Sequence, residues 1–245
     1  TAGLLVPVGT AVAYFVVMFR SPKVTVPERT HLRAYIPLWI GAVLFFMITE
    51  QAAGKMATFA ESNTDLRLPF FGWSTTAEAY QSVNPAAIVL LAPLIGMLFT
   101  RRAGRFPSTI MKFVIAVLIV GLSALMLGYG FQIWPGGQHL SPWWFLALVY
   151  VIQTVAELFL TPVGLATTTT LAPKSFASQA MGLWWLSVAT GQGVAGFVIA
   201  QTEHLSDATY YYGLGVATLL MALVLFAVAP WTQRQMADVE TATAE

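Results

Sequence analysis

Glu157 is a lone carboxylate in a membrane-length apolar stretch, inside the run Val151-Ile-Gln-Thr-Val-Ala-Glu-Leu-Phe-Leu-Thr-Pro-Val-Gly164 between Pro142 and Ala172. An ionisable side chain at the bilayer centre costs roughly 2.5–3.5 kcal/mol on insertion scales, so such residues face a cavity or a partner. The chemistry open to Glu157 is that of a fixed anion, which pairs with a cation or takes a proton. Gln153, Glu157, Thr161, Gly164 and Thr168 recur at i, i+4, i+8, i+11 and i+15, one stripe of a 3.6-residue period. That stripe is polar and small on an apolar rod, and predicts the wall of a water-filled path. Glu50, Gln51 and Asn84 are further polar groups inside apolar runs. Plainer readings stand beside these. Glu157 can glue helices together, and Glu50 can belong to an outer charge network with Lys55 and Glu61. Asn84 precedes Pro85, which suits a cap or a turn as well as a ligand contact.

The elements that position these groups are long and uncharged. Hydrophobic residues make up 57% of the chain, charged residues 9%, and the mean hydropathy is +0.71, outside the range of soluble globular domains. Residues 79–100, 113–156, 175–202 and 208–233 carry no Asp, Glu, Lys or Arg. The run 113–156 is too long for one crossing at 1.5 Å per residue, and Pro135-Gly136-Gly137 divides it. With 34–60 added, six spans are predicted, near 34–60, 79–100, 107–133, 142–172, 177–202 and 208–233. Residues 1–20 form a seventh. The chain opens on Thr1 and an apolar run with no charged region before it, unlike a signal peptide, so it is expected to begin inside a helix of a longer protein.

Lys and Arg fix the orientation. Arg20, Lys23, Arg29, Arg33, Arg101, Arg102, Arg105, Lys112, Lys174 and Arg234 fall on one side of an alternating topology; Lys55 and Arg67 fall on the other. The first side is therefore expected to be cytoplasmic. Trp134, Trp143 and Trp144 are expected at the outer interface and Trp231 at the inner one.

Several functions are disfavoured. A net charge of +1 gives no reason to expect nucleic acid. With no cysteine there is neither a disulfide framework nor a thiolate metal site. His31, His139 and His204 lack metal-ligand spacing, and no phosphate loop occurs. A membrane enzyme is disfavoured because no nucleophile–base pair is visible beside the two apolar-span carboxylates. No cofactor is expected. Six spans with both bundle ends cytoplasmic match one half of a twelve-helix secondary transporter, whose substrate sits near the midplane between the halves.

The strings Phe45-Phe-Met-Ile-Thr-Glu50-Gln51, Gln81-Ser-Val-Asn84-Pro85, Glu157-Leu-Phe-Leu-Thr-Pro162-Val-Gly164-Leu and Ser178-Gln-Ala-Met-Gly-Leu-Trp184-Trp-Leu-Ser187 occur in that order. Together they closely resemble the C-terminal half of the proton-dependent oligopeptide transporter (POT) family of the major facilitator superfamily, over nearly the whole chain. The resemblance implies an all-α membrane protein. Residues 1–20 would be part of a linker transmembrane helix, 21–33 a cytoplasmic basic loop, 34–233 the six-helix transport bundle, and 234–245 a cytoplasmic tail. It gives Glu50 a part in gating and proton coupling with a basic residue of the other half. Glu157 would receive the peptide amino terminus, Asn84 would hydrogen-bond the peptide, and Trp184 would shape a side-chain pocket. Thr170 and Val188 replace a lysine and an asparagine frequent in the family, which touches pocket detail.

The chemistry of the residues is compatible with those roles. A peptide ammonium in a low-dielectric cavity needs an anion. A carboxylate that alternately meets a cation and a proton is a switch, since burial favours its neutral form and a nearby positive charge its anionic form. On spacing alone, Trp184 lies only about 9 Å into its helix, so a belt or packing role is equally open. Ala189, Gly191, Gly193, Ala195, Gly196 and Ala200 read as close helix packing. The expected function is proton-coupled symport of di- and tripeptides across the cytoplasmic (inner) membrane. The expected partners are the peptide, protons, the lipid bilayer and an N-terminal six-helix half. Two alternatives remain: another substrate such as nitrate, against which the fixed charge of Glu157 argues, and a membrane assembly module without transport of its own.

Overall fold

The computed structural model describes residues 2–69, 72–101 and 107–244, and side chains except those of Ala2 and of 237–244. Arg102 and Arg105 of the basic cluster, with Thr1 and Glu245 at the ends, lie outside the described residues. Among the described residues, eight α-helices follow one another: α1 (Ala2–Arg20), α2 (Val26–Thr49), α3 (Lys55–Asn63), α4 (Val83–Arg101), α5 (Thr109–Ile133), α6 (Trp143–Leu171), α7 (Ala177–Gln201) and α8 (Asp207–Ala244). Seven stretches of the described residues are long and apolar enough to cross a membrane, α1 being one of them.

Three boundaries differ from the sequence-based expectation. The stretch 21–33, expected as loop, becomes helical at Val26, because Thr25 and Glu28 form a reciprocal capping box and Pro27 suits the first turn. Arg29 and Arg33 therefore ride on a helix that starts before the apolar run. The span expected over 34–60 is broken: α2 ends at Thr49, a 3₁₀ turn covers Glu50–Ala53, and α3 starts after Gly54. At the other end, helix continues from 233 through the expected tail to Ala244. Gly136 and Gly137 adopt φ of 96° and 67°, as the Pro-Gly-Gly turn between α5 and α6 requires.

The core lies where α2, α5, α6 and α8 meet, around Phe45, Ile48, Phe113, Leu127, Leu146, Leu160, Tyr211 and Leu225. The small residues of α7 serve two faces. A Cβ on Gly191 would stand 2.8 Å from the Met47 nitrogen and the Val43 oxygen, so α7 closes directly on the α2 backbone. Gly193 meets the backbone of Gly3, which seats α1 on the opposite flank of α7. Gly196 faces open space and takes no part in either crossing. α4 stands apart. It packs on α6 and the turn before it, buries only Ala87 among its described side chains, and exposes Val89, Leu90, Leu94, Met97 and Leu98.

Candidate functional site

Glu50 caps α2, its N–H still bonded to the Phe46 carbonyl, and opens the 3₁₀ turn beside a cavity of about 290 Å³ that it lines. Phe46, Thr49, Glu50 and Ala52 form one side, Gln81 of the turn before α4 with Asn84 and Pro85 of its first turn another, and Tyr150, Gln153 and Glu157 of α6 the third. Three of the four residues singled out from the sequence thus meet in one space. Among the described residues two carboxylates line it and no Lys or Arg does, so the cavity is electronegative and suits a cationic group.

Each carboxylate is held by an amide from another helix. Asn84 donates Nδ2–H to Glu157 Oε2 at 3.0 Å. Gln192 of α7 donates Nε2–H to Glu50 Oε2 at 2.6 Å. A carboxylate has acceptor sites to spare, so these bonds orient the groups while leaving capacity for a ligand. Asn84 lies one residue inside α4, so its amide is free of the capping role open to it in the sequence and reaches across to α6.

The 3₁₀ turn is anchored from the side away from the cavity. Gln51 is 3% exposed, donates Nε2–H to Tyr210 Oη (2.7 Å) and the Met47 carbonyl (3.0 Å), and accepts from Tyr211 Oη at 3.0 Å. Lys55, two residues past the turn, forms an ion pair with Asp207 at the start of α8 and lies 5.0 Å from the Tyr210 ring. Lys55 is therefore engaged with α8, and the outer charge network open to Glu50 draws in Lys55 and Asp207 instead. Tyr150 Oη donates to the Ala52 carbonyl at 3.3 Å and ties the turn to α6.

Trp184 lies behind the cavity, not on its lining. It is 1% exposed, and its ring lies over Gly164, where a Cβ would overlap it. It meets Phe46 edge-on at 6.0 Å, so it backs a residue that does line the space. Its Nε1–H has no hydrogen-bond partner among the described residues.

The polar stripe of α6 divides between two environments. Gln153 and Glu157 line the cavity, although the Gln153 amide turns inward to Ser123 Oγ at 3.3 Å. Gly164 is covered by Trp184, and Thr168 is buried against Tyr35 Oη at 2.9 Å. The continuous wetted wall expected from the period is thus confined to its first turns; the remainder is helix-packing surface. Tyr150 and Gln192 were not singled out from the sequence. Gln192 carried the same signal as Glu157, a polar group in an uncharged span; Tyr150 carried none, since a tyrosine in an apolar helix is ordinary.

An all-helical membrane protein with a two-carboxylate cavity between broken and intact helices is the class these features define. The model of the POT family matches residues 6–213. The chain belongs to the POT family. It is 35% identical over 238 residues to a Bacillus subtilis (strain 168) protein named as the uncharacterized transporter YclF, covering 97% of this chain and 46% of that one. It is 33% identical over 240 residues to the di-/tripeptide transporter of Lactococcus lactis subsp. lactis (strain IL1403), covering 97% and 47%. The crystal structure of a peptide transporter POT mutant in complex with alafosfalin superposes with a TM-score of 0.88 at 34% identity, covering 96% of this chain and 48% of that one. The chain spans about half the length of these relatives. It is a multi-pass membrane protein of a transporter family.

Proposed function

We propose that the chain is the C-terminal half of a proton-coupled symporter of di- and tripeptides in the cytoplasmic membrane. The six-helix bundle is formed by α2 with α3 and by α4 to α8, and α1 is a linker helix beside it. The observation that carries this reading is the pair of carboxylates in one cation-free cavity, Glu50 and Glu157, on elements that this chain alone does not enclose. Relatives named as di-/tripeptide transporters support the substrate class. Glu157 receives the peptide ammonium, with Asn84 holding its carboxylate and Trp184 stiffening the pocket through Phe46. Glu50 takes and releases the coupled proton. Nitrate fits this site poorly, because the fixed charge of Glu157 repels it. The basic ends of α1, α2 and α4 face the cytoplasm.

Truncating one member of a buried, hydrogen-bonded charge pair costs roughly 2–5 kcal/mol, at least about 30-fold in affinity. In the complete transporter, Glu157→Gln is expected to weaken dipeptide binding by at least about that 30-fold. Ligand-free thermal stability should barely move, because Gln still accepts from Asn84. An amino-terminally acetylated dipeptide has no ammonium; wild type should bind it poorly and the substitution should cost it little more. Equal losses for free and acetylated peptides would mean that Glu157 does not read the amino terminus.

A further inference from the structure

Glu50 stands where α2 breaks, and its hydrogen-bond partner comes from a different helix. Gln192 on α7 donates to Glu50 Oε2 at 2.6 Å, a close contact. An amide in the uncharged span 175–202 is disfavoured unless something engages it. The approach is built into the backbone, since a Cβ on the neighbouring Gly191 would stand 2.8 Å from the Met47 nitrogen and the Val43 oxygen of α2. A side chain there would push α7, and Gln192 with it, away from the turn.

The groups around Glu50 can be named element by element. The turn packs against α2, α3 and α7, and Tyr150 of α6 and Tyr210 and Tyr211 of α8 reach it through hydrogen bonds. The 34–49 part of α2 carries no charged residue. α3 brings Lys55, which is paired with Asp207 of α8, and Glu61 farther along. Across the cavity α6 presents Glu157 and Tyr150. From α7 the group that meets Glu50 is the neutral amide of Gln192.

We propose that Gln192 is the positioning residue of the coupling carboxylate, holding Glu50 against α7 in both of its protonation states. The inference rests on the coupling role proposed for Glu50. An amide carries donors and an acceptor, so Nε2–H serves the anion and, with the amide turned over, Oε1 accepts from the protonated acid. A lysine or arginine in that place would offer donors only and would hold Glu50 in the charged form. An aliphatic side chain would answer neither state. A neutral amide keeps the carboxylate in place through a protonation cycle without fixing which state it occupies.

The test is gradient-driven dipeptide uptake by the complete transporter in liposomes, followed across a range of external pH. A hydrogen bond to the charged form favours it, so losing the donor favours proton uptake. Gln192→Met keeps side-chain length and should raise the pH of half-maximal uptake, by about one unit. Gln192→Glu keeps the shape and sets a second carboxylate against Glu50; a proton shared between them should move that pH further in the same direction. On a Glu50→Gln background, with counterflow exchange followed across the same range, Gln192→Met should produce no displacement. A wild-type midpoint in Gln192→Met, or a displacement that persists without Glu50, overturns the inference about Gln192. Gradient-driven accumulation that survives Glu50→Gln alone overturns the coupling reading as well, which separates the two failures.

Discussion

Glu50 and Glu157 share a cavity but differ in what surrounds them. Glu157 sits within an unbroken helix beside Asn84, whereas Glu50 sits on a 3₁₀ turn braced by Gln51 and touched by Gln192. The first arrangement suits a fixed receptor and the second a group that changes partners. Glu50→Gln in the complete transporter is therefore expected to abolish accumulation driven by a pH gradient, with peptide exchange falling far less. Paired counterflow and gradient-driven uptake in liposomes measure this; undiminished accumulation would contradict the coupling role. Glu157, Glu50 and Asn84 were legible in the sequence because an ionisable or amide group in an apolar span is costly enough to need a reason. Their pairings were not legible. That Asn84 meets Glu157 and Gln192 meets Glu50 depends on helices 73 and 142 residues apart in the chain lying side by side, which no local spacing records.

The helices themselves follow from uncharged runs and a glycine turn, and the seven spans were readable for that reason. Two features were hidden by the same simplicity. The break at Glu50 lies inside a run whose hydropathy is continuous, and it is held by Tyr210 and Tyr211 from α8 rather than by a local breaker alone. The polar stripe of α6 has one period but two neighbours, the cavity along its first turns and Trp184 of α7 farther on. Gly164 marks the change. Its absent side chain is the space that the Trp184 ring fills, so it belongs to packing. Gly164→Ala is expected to destabilise the bundle by about 1–3 kcal/mol, the usual cost of overpacking. Combining it with Trp184→Phe, which shrinks the ring, should recover part of that loss. Thermal unfolding of the detergent-solubilised transporter reads both; an Ala variant as stable as wild type would show that the ring does not need this space.

At the scale of the molecule, the cavity is lined from α2, α4 and α6, and α4 leaves a bare apolar flank beside it. The chain covers 46–48% of the three relatives named above. A carboxylate pair on an unenclosed face gains little from a peptide ammonium, because water screens the attraction that a closed, low-dielectric site would make strong. On the proposed function, binding is therefore expected to require two halves. The most direct measurement is equilibrium dipeptide binding in liposomes by the purified chain alone and by the chain co-expressed with the N-terminal half. The account predicts no saturable binding by the chain alone and restored, competable binding by the pair. Saturable dipeptide binding by the isolated chain would contradict it.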